Sequence, residues 1–366
     1  MSAPKRNWVP TFCPNPNCKY HNPLSEGWTF KRAGYFRRHA APHRIQRFTC
    51  QHCKRSFSTQ TFSTTYWLKQ PDLLPQVWMK ICGCMANRQI ARDLKATPAT
   101  VDRMVSRLAR HAILFHWQMM KNLLPPGMIV VDGFESYEWS QYFPFHHHLA
   151  VEKGTGFFIY FTDSPLRRKG SMSDTQKRRR EEQEKKLGRP DPKAIEKDMK
   201  ELIEVTLKGR SSAVVYSDDH PAYKRSIKQI DCVITHDITP GTAYRNQHNS
   251  LSEINIMDAV IRHSSSNHKR ETIAWSKRRQ GSAERLVVFL VWKNYMKGLR
   301  EKERGSPTPG MLKGLTESPL SVEEILSQRI LRSHIELPPR WAEYYDRAVE
   351  TPALGKNKKH ELKYAY

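Results

Sequence analysis

The spacing of apolar residues predicts a pair of helices around residue 95. Ile90, Ala91 and Leu94 form one apolar stripe. A second stripe at helical spacing comprises Val101, Met104, Val105 and Leu108. Between them, Thr97 is a favourable N-cap residue and Pro98 suits the first position of a helix. We therefore expect two short helices joined by a tight turn.

The polar side of the second helix bears on what this pair does. We expect it to expose Thr100, Arg103, Arg107 and Arg110, as the second helix of a helix-turn-helix DNA-binding motif does. A helical hairpin inside a bundle has the same apolar pattern. The pattern alone leaves both interpretations open.

Farther along the chain the apolar pattern becomes that of β-strands. Residues 129–131 are a continuous apolar run after Pro-Pro-Gly, which predicts a buried strand that ends at Asp132. A second strand, VVYS from Val214, runs into the adjacent acids Asp218 and Asp219. Both predicted strands therefore end in carboxylates.

A β-hairpin is predicted between these strands, in HHHLAVEKGTGFFIYFTDS, with Gly154 and Gly156 in its turn region. Its three consecutive histidines are His146, His147 and His148. Adjacent strand residues point to opposite faces, so at most two of these rings could share an ion. We assign no metal site to them.

The remaining segments are predicted from composition and period. Residues 166–198 have dense mixed charge and few large apolar residues, which predicts a solvated insertion with partial helix. Helices are expected around residues 195–207, from about Ala222, from Ser250 and through GSAERLVVFLVWKNYMKG, and a strand in DCVITHDI. The proline-punctuated tail begins at Ser306. The longest apolar run, LVVFLVW, is too short to span a bilayer, so we expect no membrane segment.

The charge of the chain adds a partner to this picture. The 366 residues include 61 Lys and Arg against 36 Asp and Glu, a net charge of +25. Such an excess indicates a polyanionic partner, most often nucleic acid, without distinguishing DNA from RNA. The start of the chain, with Lys5 and Arg6, is not typical of a secretory signal. We therefore expect a cytoplasmic protein with its seven cysteines reduced or bound to metal.

Four cysteines form two pairs, Cys13 with Cys18 and Cys50 with Cys53. Both spacings let two thiolates reach one tetrahedral Zn²⁺. The 31 residues between the pairs exceed the gap of the commonest four-cysteine sites, and His21 or His52 could replace a sulfur. We expect a structural zinc site, because a closed four-ligand site leaves no position for a substrate. Four unrelated buried thiols are the alternative.

The two strand-end acids suggest a second metal site. Ligands gather at strand ends in open α/β sheets, and Asp218 rather than Asp219 is expected to point inward with Asp132. The apolar face of the helix from Ser250 is expected to comprise Ile256, Met257, Val260 and Ile261. Glu253 lies near the middle of this face and is the predicted third acid. On the same helical wheel Asp258 lies at the edge of that face.

Glu253 also has a plainer interpretation. The sequence Ser250-Leu251-Ser252-Glu253 matches a capping box, in which the glutamate reaches back to the start of its helix. The presence of two strand-end aspartates favours a metal ligand. Three carboxylates from distant segments suit two Mg²⁺ or Mn²⁺ ions, which activate a nucleophile and stabilise the leaving oxygen in phosphoryl transfer.

Together these motifs resemble the DDE transposases of bacterial insertion sequences, in the branch with an N-terminal zinc ribbon. The resemblance covers nearly the whole chain. It rests on the cysteine pairs with FTCQHCKRSFS, the helical pair, VVDGFES, YSDDHPAYKRSI and the basic segment NHKRETIAWSKRRQGSAERL. The 35-residue span from Asp218 to Glu253 is similar to the second-to-third acid spacing of that family.

The expected fold is multidomain α/β. We expect a zinc ribbon at residues 1–68, a helix-turn-helix domain at 72–120, a catalytic domain at 126–300 that carries the insertion, and a helical C-terminal tail at 301–366. The resemblance implies that the catalytic domain is RNase H-like. It also implies that Asp132 lies on the first strand of that domain, Asp218 after the fourth and Glu253 on a late helix, with Asp258 in reserve.

The resemblance implies that all three acids bind divalent metal, and that Arg270, Lys277 and Arg278 contact DNA phosphates. The implied enzyme binds the ends of its element and catalyses strand cleavage and strand transfer into target DNA. We expect it to act as a homodimer or larger assembly on DNA and to be associated with the nucleoid when bound. A DNA-binding regulator without catalysis, and an RNase H-like nuclease without strand transfer, remain as alternatives.

Overall fold

The computed structural model of the chain describes residues 8–22 and 25–359. Lys5 and Arg6, on which the prediction about a signal sequence rests, lie outside these ranges. The strands are β1 (Phe30–Arg37), β2 (Arg44–Cys50), β3 (Ser56–Ser58), β4 (Met128–Tyr137), β5 (Pro144–Glu152), β6 (Phe158–Pro165), β7 (Ser212–Asp218) and β8 (Val233–Thr239).

The helices lie between and after the strands. They are α1 (Leu73–Cys82), α2 (Asn87–Asp93), α3 (Pro98–Met120), α4 (Asp174–Leu187), α5 (Ala194–Thr206), α6 (Pro221–Ile227), α7 (Ser252–Ser264), α8 (Arg279–Tyr295), α9 (Pro309–Leu312), α10 (Val322–Ser327) and α11 (Pro339–Asp346), with 3-10 turns at Lys19–His21 and Arg332–His334. None of the described helices is both long and apolar enough to cross a membrane.

The strands form two sheets. β1, β2 and β3 make a small antiparallel sheet near the N-terminus. The larger sheet has the order β6-β5-β4-β7-β8, in which β6, β5 and β4 are antiparallel and β7 and β8 run parallel to β4. The β4–β7 register pairs Val130 with Tyr216. Continued two residues further, it sets Asp132 level with Asp218. Asp218 ends β7 as predicted, whereas β4 continues past its predicted end at Asp132 to Tyr137, because it stays paired with β5.

The predicted hairpin is confirmed as β5 and β6. Gly154 and Gly156 have φ values of +86° and +64°, a region that favours glycine because it has no Cβ. The three histidines alternate as expected. The Nδ1 atoms of His146 and His148 are 3.1 Å apart, whereas His147 is hydrogen-bonded to Ser282 of α8.

The start of α3 agrees with its prediction, but its length and burial do not. The Thr97 hydroxyl accepts a hydrogen bond from the Thr100 N–H, and Pro98 opens the helix. The helix then continues for 23 residues, and residues 104–116 are all buried. A helix buried on every side belongs inside a core. Here α3 packs against α8, α1 and α11, which matches the helical-hairpin alternative over most of its length.

Two apolar cores are present among the described residues. A small one joins Cys13, Phe48 and Phe57 in the N-terminal sheet. The large one includes residues of α1–α3, the five-stranded sheet, α7, α8 and the C-terminal helices. The expected boundaries between residues 72–120, 126–300 and 301–366 therefore do not correspond to separate cores.

The C-terminal segment is woven into the large core. Trp341 is fully buried, and its indole donates to the Phe161 carbonyl of β6 at 3.1 Å. The carbonyl of Leu326 accepts from the Thr64 hydroxyl, and Ser333 contacts His21 beside the N-terminal sheet. By contrast, α4 in the predicted insertion has no buried residue.

Candidate functional site

Asp132 and Asp218 lie on adjacent parallel strands and influence each other electrostatically. Both aspartates are half-buried. Burial, followed by the negative charge of Asp218, raises the pKa of Asp132, and Asp258 on α7 adds to this effect, so that the pKa reaches about 7. A carboxylate whose pKa is raised by burial and by other acids is a recognised sign of a functional site.

The third carboxylate near this pair is Asp258, because of the direction in which α7 runs. The helix starts beside Lys153, whose N–H donates to the Met128 carbonyl at the first residue of β4. Its last turn reaches Phe134, where the Arg262 guanidinium lies 5.4 Å from the ring centroid. Asp258 is about 7.5 Å further along α7 than Glu253. This brings Asp258, and not Glu253, toward the level of Asp132.

Glu253 is held at the other end of the strand. Its carboxylate accepts hydrogen bonds from Lys153 Nζ at 2.8 Å and from the Gly154 N–H at 3.1 Å. The structure therefore does not bring Glu253 to Asp132 and Asp218. Its contacts fix the start of α7 to the β5–β6 turn. The predicted capping box is not formed either, since the N-cap residue is Leu251 and no side chain caps the helix.

The reason lies in which side of α7 is buried. The prediction took Ile256 as part of the apolar face, but Ile256 is 59% exposed. The buried side is formed by Ile254, Met257, Ile261 and Ser264. Its centre is about 60° from Glu253 in the direction of Asp258. The two acids therefore lie at opposite edges of the buried side.

Asp258 has an oxygen without a donor. Arg262 Nε lies 3.3 Å from Asp258 Oδ2. Oδ1 is buried and has no hydrogen-bond partner among the described residues. Burial raises the pKa of Asp258, although Arg262 opposes the shift. An unsatisfied buried carboxylate oxygen is costly, and it is the kind of ligand that Mg²⁺ and Mn²⁺ prefer. The donor set of this acidic site thus fits a divalent cation.

The adjacent acids Asp218 and Asp219 differ in their surroundings. Asp218 Oδ1 accepts from the His220 N–H at 3.0 Å, so this residue also shapes the turn into α6. Asp219 is exposed, and its Oδ2 lies 3.4 Å from the Gly241 N–H. Tyr223 of α6 is buried beside the site. Burial, then the charges of Asp132 and Asp218, raise the pKa of its hydroxyl.

The four paired cysteines converge on one point. Their Sγ atoms all lie within 4.8 Å of one another, and Cys13 and Cys53 are 3.6 Å apart at sulfur. Sulfurs bound to one tetrahedral zinc at about 2.3 Å lie at nearly this separation. The cluster could therefore hold a structural zinc ion. Among the described residues it is also the only group of three or more such ligands this close, so at least one separation among the acidic-site carboxylates is longer.

The surroundings of the cysteines distinguish the two candidate histidines. His21 Nδ1 donates to the Cys13 carbonyl at 2.8 Å, so this ring supports the loop. His52 Nδ1 lies 3.7 Å from Cys18 Sγ, beside the cluster. Burial acts to raise the pKa of the Cys50 thiol, but the Trp28 indole N–H at 3.2 Å and nearby backbone N–H groups bring it down to about 7. A thiolate at this position suits a metal ligand.

The predicted DNA contacts of α3 divide into exposed and buried residues. Arg103 is exposed, whereas Thr100 is half-buried and engaged in the cap of α3. The prediction that Arg107 and Arg110 are exposed is wrong. Arg107 is 7% exposed and donates to the Thr64 carbonyl at 3.0 Å, and Arg110 is 6% exposed. The side of α3 that carries Arg107 and Arg110 is covered by α8 and the C-terminal segment of the same chain, which are distant in sequence.

The basic segment after α7 also divides. Arg270 and Lys277 are exposed. Burial raises the pKa of Asp258, and the charge of Arg270 opposes this rise, after that of Arg262. Arg278 is half-buried, and its guanidinium donates to the carbonyls of Leu354 and Gly355 at 2.8 Å. Arg278 thus anchors the C-terminal segment, which leaves Arg270 and Lys277 as the surface cations.

Two further cations near the site were missed from the sequence. Arg245 opposes the rise in the pKa of Asp132 that burial causes. Arg88 on α2 lies near Lys277, whose pKa is lowered by burial and then by the charge of Arg88. Arg245 lies in no predicted motif, and Arg88 lies on the first helix of the predicted pair, where no contact was assigned. Only the fold shows which charges they approach. A larger cavity of about 530 Å³ lies elsewhere, between Trp117, Tyr160 and Leu337, and its described lining includes none of the predicted site residues.

No family model and no curated protein matches the chain. Two solved structures show a weak likeness. One is a cryoEM structure of the simian T-cell lymphotropic virus intasome in complex with PP2A regulatory subunit B56 gamma, at 13% identity over 52% of this chain and a TM-score of 0.25. The other is a crystal structure of a pre-cleavage Mos1 transpososome, at 7% identity over 44% of this chain and a TM-score of 0.14. The chain spans 57% of each matched chain, and at TM-scores this low neither likeness carries an argument.

Proposed function

We propose that the chain is a DDE-type DNA transposase with an RNase H-like catalytic domain, whose third metal-binding acid is Asp258. The observation that carries the proposal is the placement of the acids. Asp132 lies on the first strand of the five-stranded sheet and Asp218 is the last residue of its fourth. Asp258 faces them from α7, with a buried oxygen that has no hydrogen-bond partner among the described residues. The placement of the two strand acids is the one that the family resemblance implies.

The three carboxylates would hold two Mg²⁺ or Mn²⁺ ions, which together activate the attacking oxygen and stabilise the leaving oxygen of a phosphodiester. In strand cleavage a water oxygen attacks phosphorus and the 3′ oxygen leaves. In strand transfer that 3′-hydroxyl attacks a phosphodiester of target DNA, and the target strand's 3′ oxygen leaves and takes up the proton. Asp218 is fixed by the His220 N–H, and Asp258 by Arg262. These contacts orient the ligands before substrate binds.

The charge of the surroundings supports DNA as the substrate. Arg270, Lys277 and Arg103 are exposed cations, and the chain as a whole carries +25. Such residues bind phosphates without regard to sequence. We further propose that the zinc ribbon and the exposed start of α3 bind the ends of the element. Because two ends must be cut together, the proposal includes a homodimer on DNA.

The test is cleavage of duplexes taken from the DNA on both sides of the coding sequence, with Mg²⁺ and then with a chelator. Wild type should release nicked and joined strands, and Asp132→Asn and Asp218→Asn should reduce both products by more than about a hundredfold. The matched control is Asp219→Asn, an exposed neighbouring acid.

The binding of the same duplexes is measured in parallel by gel shift. Retained binding without cleavage assigns the aspartates to chemistry. Undiminished cleavage by Asp132→Asn would refute the proposed active site. Nicked strands without joined products would identify a nuclease instead, and binding without any metal-dependent product would identify a DNA-binding regulator.

A further inference from the structure

A cavity of about 190 Å³ lies beyond the carboxyl end of β4, where the Glu138 region and the ends of β5 and β6 meet α4. Its charged lining is mostly basic. The five arginines are Arg167, Arg168, Arg180, Arg189 and Arg279. The two acids of the lining are Glu138 and Glu184.

The acids of this cavity are already engaged. Glu184 accepts two hydrogen bonds from Arg167, at 2.7 and 3.2 Å. Glu138 Oε2 accepts from the Arg279 backbone N–H at 3.0 Å and from the Thr351 hydroxyl. Asp163, behind the cavity, pairs with Arg279 Nε at 3.0 Å. Arg180 pairs with Glu184 at 3.5 Å and with exposed Glu181 at 3.6 Å. The five arginines of the lining still outnumber the four carboxylates that pair with them or lie beside them.

Two guanidinium nitrogens here have no acceptor. Arg168 Nη1 and Arg279 Nη1 are buried and lack a hydrogen-bond partner among the described residues. Arg180 Nε also makes no hydrogen bond there, but it lies 3.5 Å from Glu184 Oε1 as an ion pair. Arg279 as a whole is only 9% exposed. A buried charged donor without an acceptor is expensive. An anion with several acceptor oxygens would satisfy these nitrogens together, and the guanidinium fork matches phosphate geometry.

The position of the cavity connects it to the acidic site. Glu138 lies six residues beyond Asp132, and Asp132 is on β4. Six residues of extended chain span about 20 Å. Exposed Lys277 lies next to the chain that runs from Asp132 to Glu138, since the Lys277 carbonyl accepts a hydrogen bond from the Trp139 N–H at 3.0 Å. In a duplex, 20 Å corresponds to about six nucleotides of one strand.

We propose that this cavity is a phosphate-binding site formed by Arg168, Arg180 and Arg279, and that it takes a backbone phosphate of the DNA strand that leads to the acidic site. The first part stands on the cavity alone, and the second rests on the proposed function. The site would bind the strand at a point remote from the scissile phosphate. The reacting phosphodiester would then be positioned both by this site and by the acidic site.

The first experiment measures the binding of inorganic phosphate by calorimetry, against chloride at equal ionic strength. Arg168→Gln should weaken phosphate binding about tenfold, the loss of one charge-assisted donor. The matched control is Arg179→Gln, an exposed arginine of α4 outside the cavity lining, which should bind as wild type does. Equal affinities for all three proteins would overturn the proposal. Should Arg168→Gln fail to fold, Arg180→Gln replaces it.

The second experiment identifies the source of the phosphate. Duplexes with one neutral methylphosphonate linkage, moved along the strand, are bound by the Asp132→Asn protein so that no cleavage intervenes. In the Asp132→Asn protein, a methylphosphonate at one remote linkage should weaken DNA binding about tenfold. In the protein that also carries Arg168→Gln, the same methylphosphonate should not weaken binding further. If phosphate binds but no linkage couples to Arg168, the assignment to DNA is overturned. Neither experiment measures DNA cleavage. A negative result would therefore overturn the phosphate site without contradicting the proposed catalytic function.

Discussion

At the scale of single residues, two acids on one helix have opposite surroundings. Glu253 is held by Lys153 and by the Gly154 N–H, whereas Asp258 has a buried oxygen without a hydrogen-bond partner among the described residues. The first arrangement stabilises the folded chain. The second costs stability, which is the usual condition of a residue kept for binding or catalysis.

A pair of variants separates these roles. Asp258→Asn should abolish metal-dependent cleavage and leave the free energy of unfolding of the metal-free protein unchanged or higher, because a neutral amide relieves the buried carboxylate. Glu253→Gln should lower the free energy of unfolding by about 1 kcal/mol and leave cleavage nearly intact. Urea unfolding and oligonucleotide cleavage measure the two quantities. Loss of cleavage in Glu253→Gln, with activity kept in Asp258→Asn, would restore Glu253 as the third acid.

Buried histidines give the protein a second residue-level property. Burial lowers the pKa of His116 to about 4. The ring is held in one neutral form, since Nε2 donates to the Ile159 carbonyl at 2.9 Å and Nδ1 accepts from the Tyr295 hydroxyl at 3.0 Å. His111 and His147 are likewise buried, with pKa values lowered by burial to about 4.

The sign of the pH effect follows from the neutral form being favoured in the folded state. The stability that His116 contributes is present above its unfolded pKa of about 6.5 and is lost as pH falls toward 4. Between pH 7.5 and 4.5 this one group should account for a loss of about 2 to 3 kcal/mol. Urea unfolding of wild type and His116→Phe across this range tests it. The variant should lose less stability over the range, and an identical dependence would contradict the assignment.

At the scale of elements, α3 combines a surface end with a buried body. Arg103, near its start, is exposed, whereas Arg107, one turn later, is buried and bonded to the Thr64 carbonyl. Residues four apart on one helix thus meet solvent and core respectively. The helix can contact DNA at its start while it supports the sheet through the rest of its length.

Substitution of these two arginines should affect different quantities. Arg103→Ala should weaken DNA binding and reduce the salt dependence of the affinity by about one ion, with stability unchanged. Arg107→Ala should lower the free energy of unfolding by about 2 kcal/mol, because it leaves a buried carbonyl unpaired, while the folded fraction binds DNA as before. Fluorescence anisotropy and urea unfolding give the two readings. Reversed effects would show that the recognition surface lies deeper along α3.

Local signals were enough to locate the elements but not to orient them. Thr97 and Pro98 mark the start of α3 through chemistry contained in a few residues. The apolar run before Asp132 located β4 but not its end, since the strand continues to Tyr137. The cysteine pairs likewise identified their cluster, because their spacing already restricts how they can meet a metal. These features depend on neighbours in sequence.

The errors come from neighbours in space. Ile256 fits the apolar stripe of α7, yet no part of the fold covers enough of it, and it is 59% exposed. Arg107 and Arg110 looked like surface cations until α8 and the C-terminal segment were placed over them. A periodic pattern states which residues can be buried together. Which side is covered depends on partners that only the folded chain reveals.

At the scale of the whole molecule, the two apolar cores differ in how their folding depends on bound metal. The small core surrounds the cysteine cluster and is built from strands and loops, whereas the large core joins the five-stranded sheet to most of the helices. A small domain that depends on bound metal commonly unfolds without it. Among the described residues, the only group of three or more closely spaced metal ligands lies in the small core.

Purified protein should therefore contain one zinc per chain, and its removal by a chelator should unfold the N-terminal sheet alone. Trp28, whose indole donates to Cys50 Sγ, should report the change by fluorescence, while the helical circular dichroism signal persists. Cys53→Ser should lose zinc, and Cys84→Ser, a half-buried cysteine outside the cluster, should keep it. Loss of the helical signal together with the metal would contradict two independent cores.

The buried position of Trp341 has a consequence for synthesis of the protein. Its ring packs on Phe161 of β6 and Trp117 of α3, both made far earlier by the ribosome. Until the segment around residue 341 has emerged, a nascent chain carries that apolar surface uncovered, a state that favours chaperone binding or aggregation. The large core that supports the sheet carrying Asp132 is therefore completed only late in translation. A polypeptide truncated before residue 341 should lack activity and be degraded rapidly.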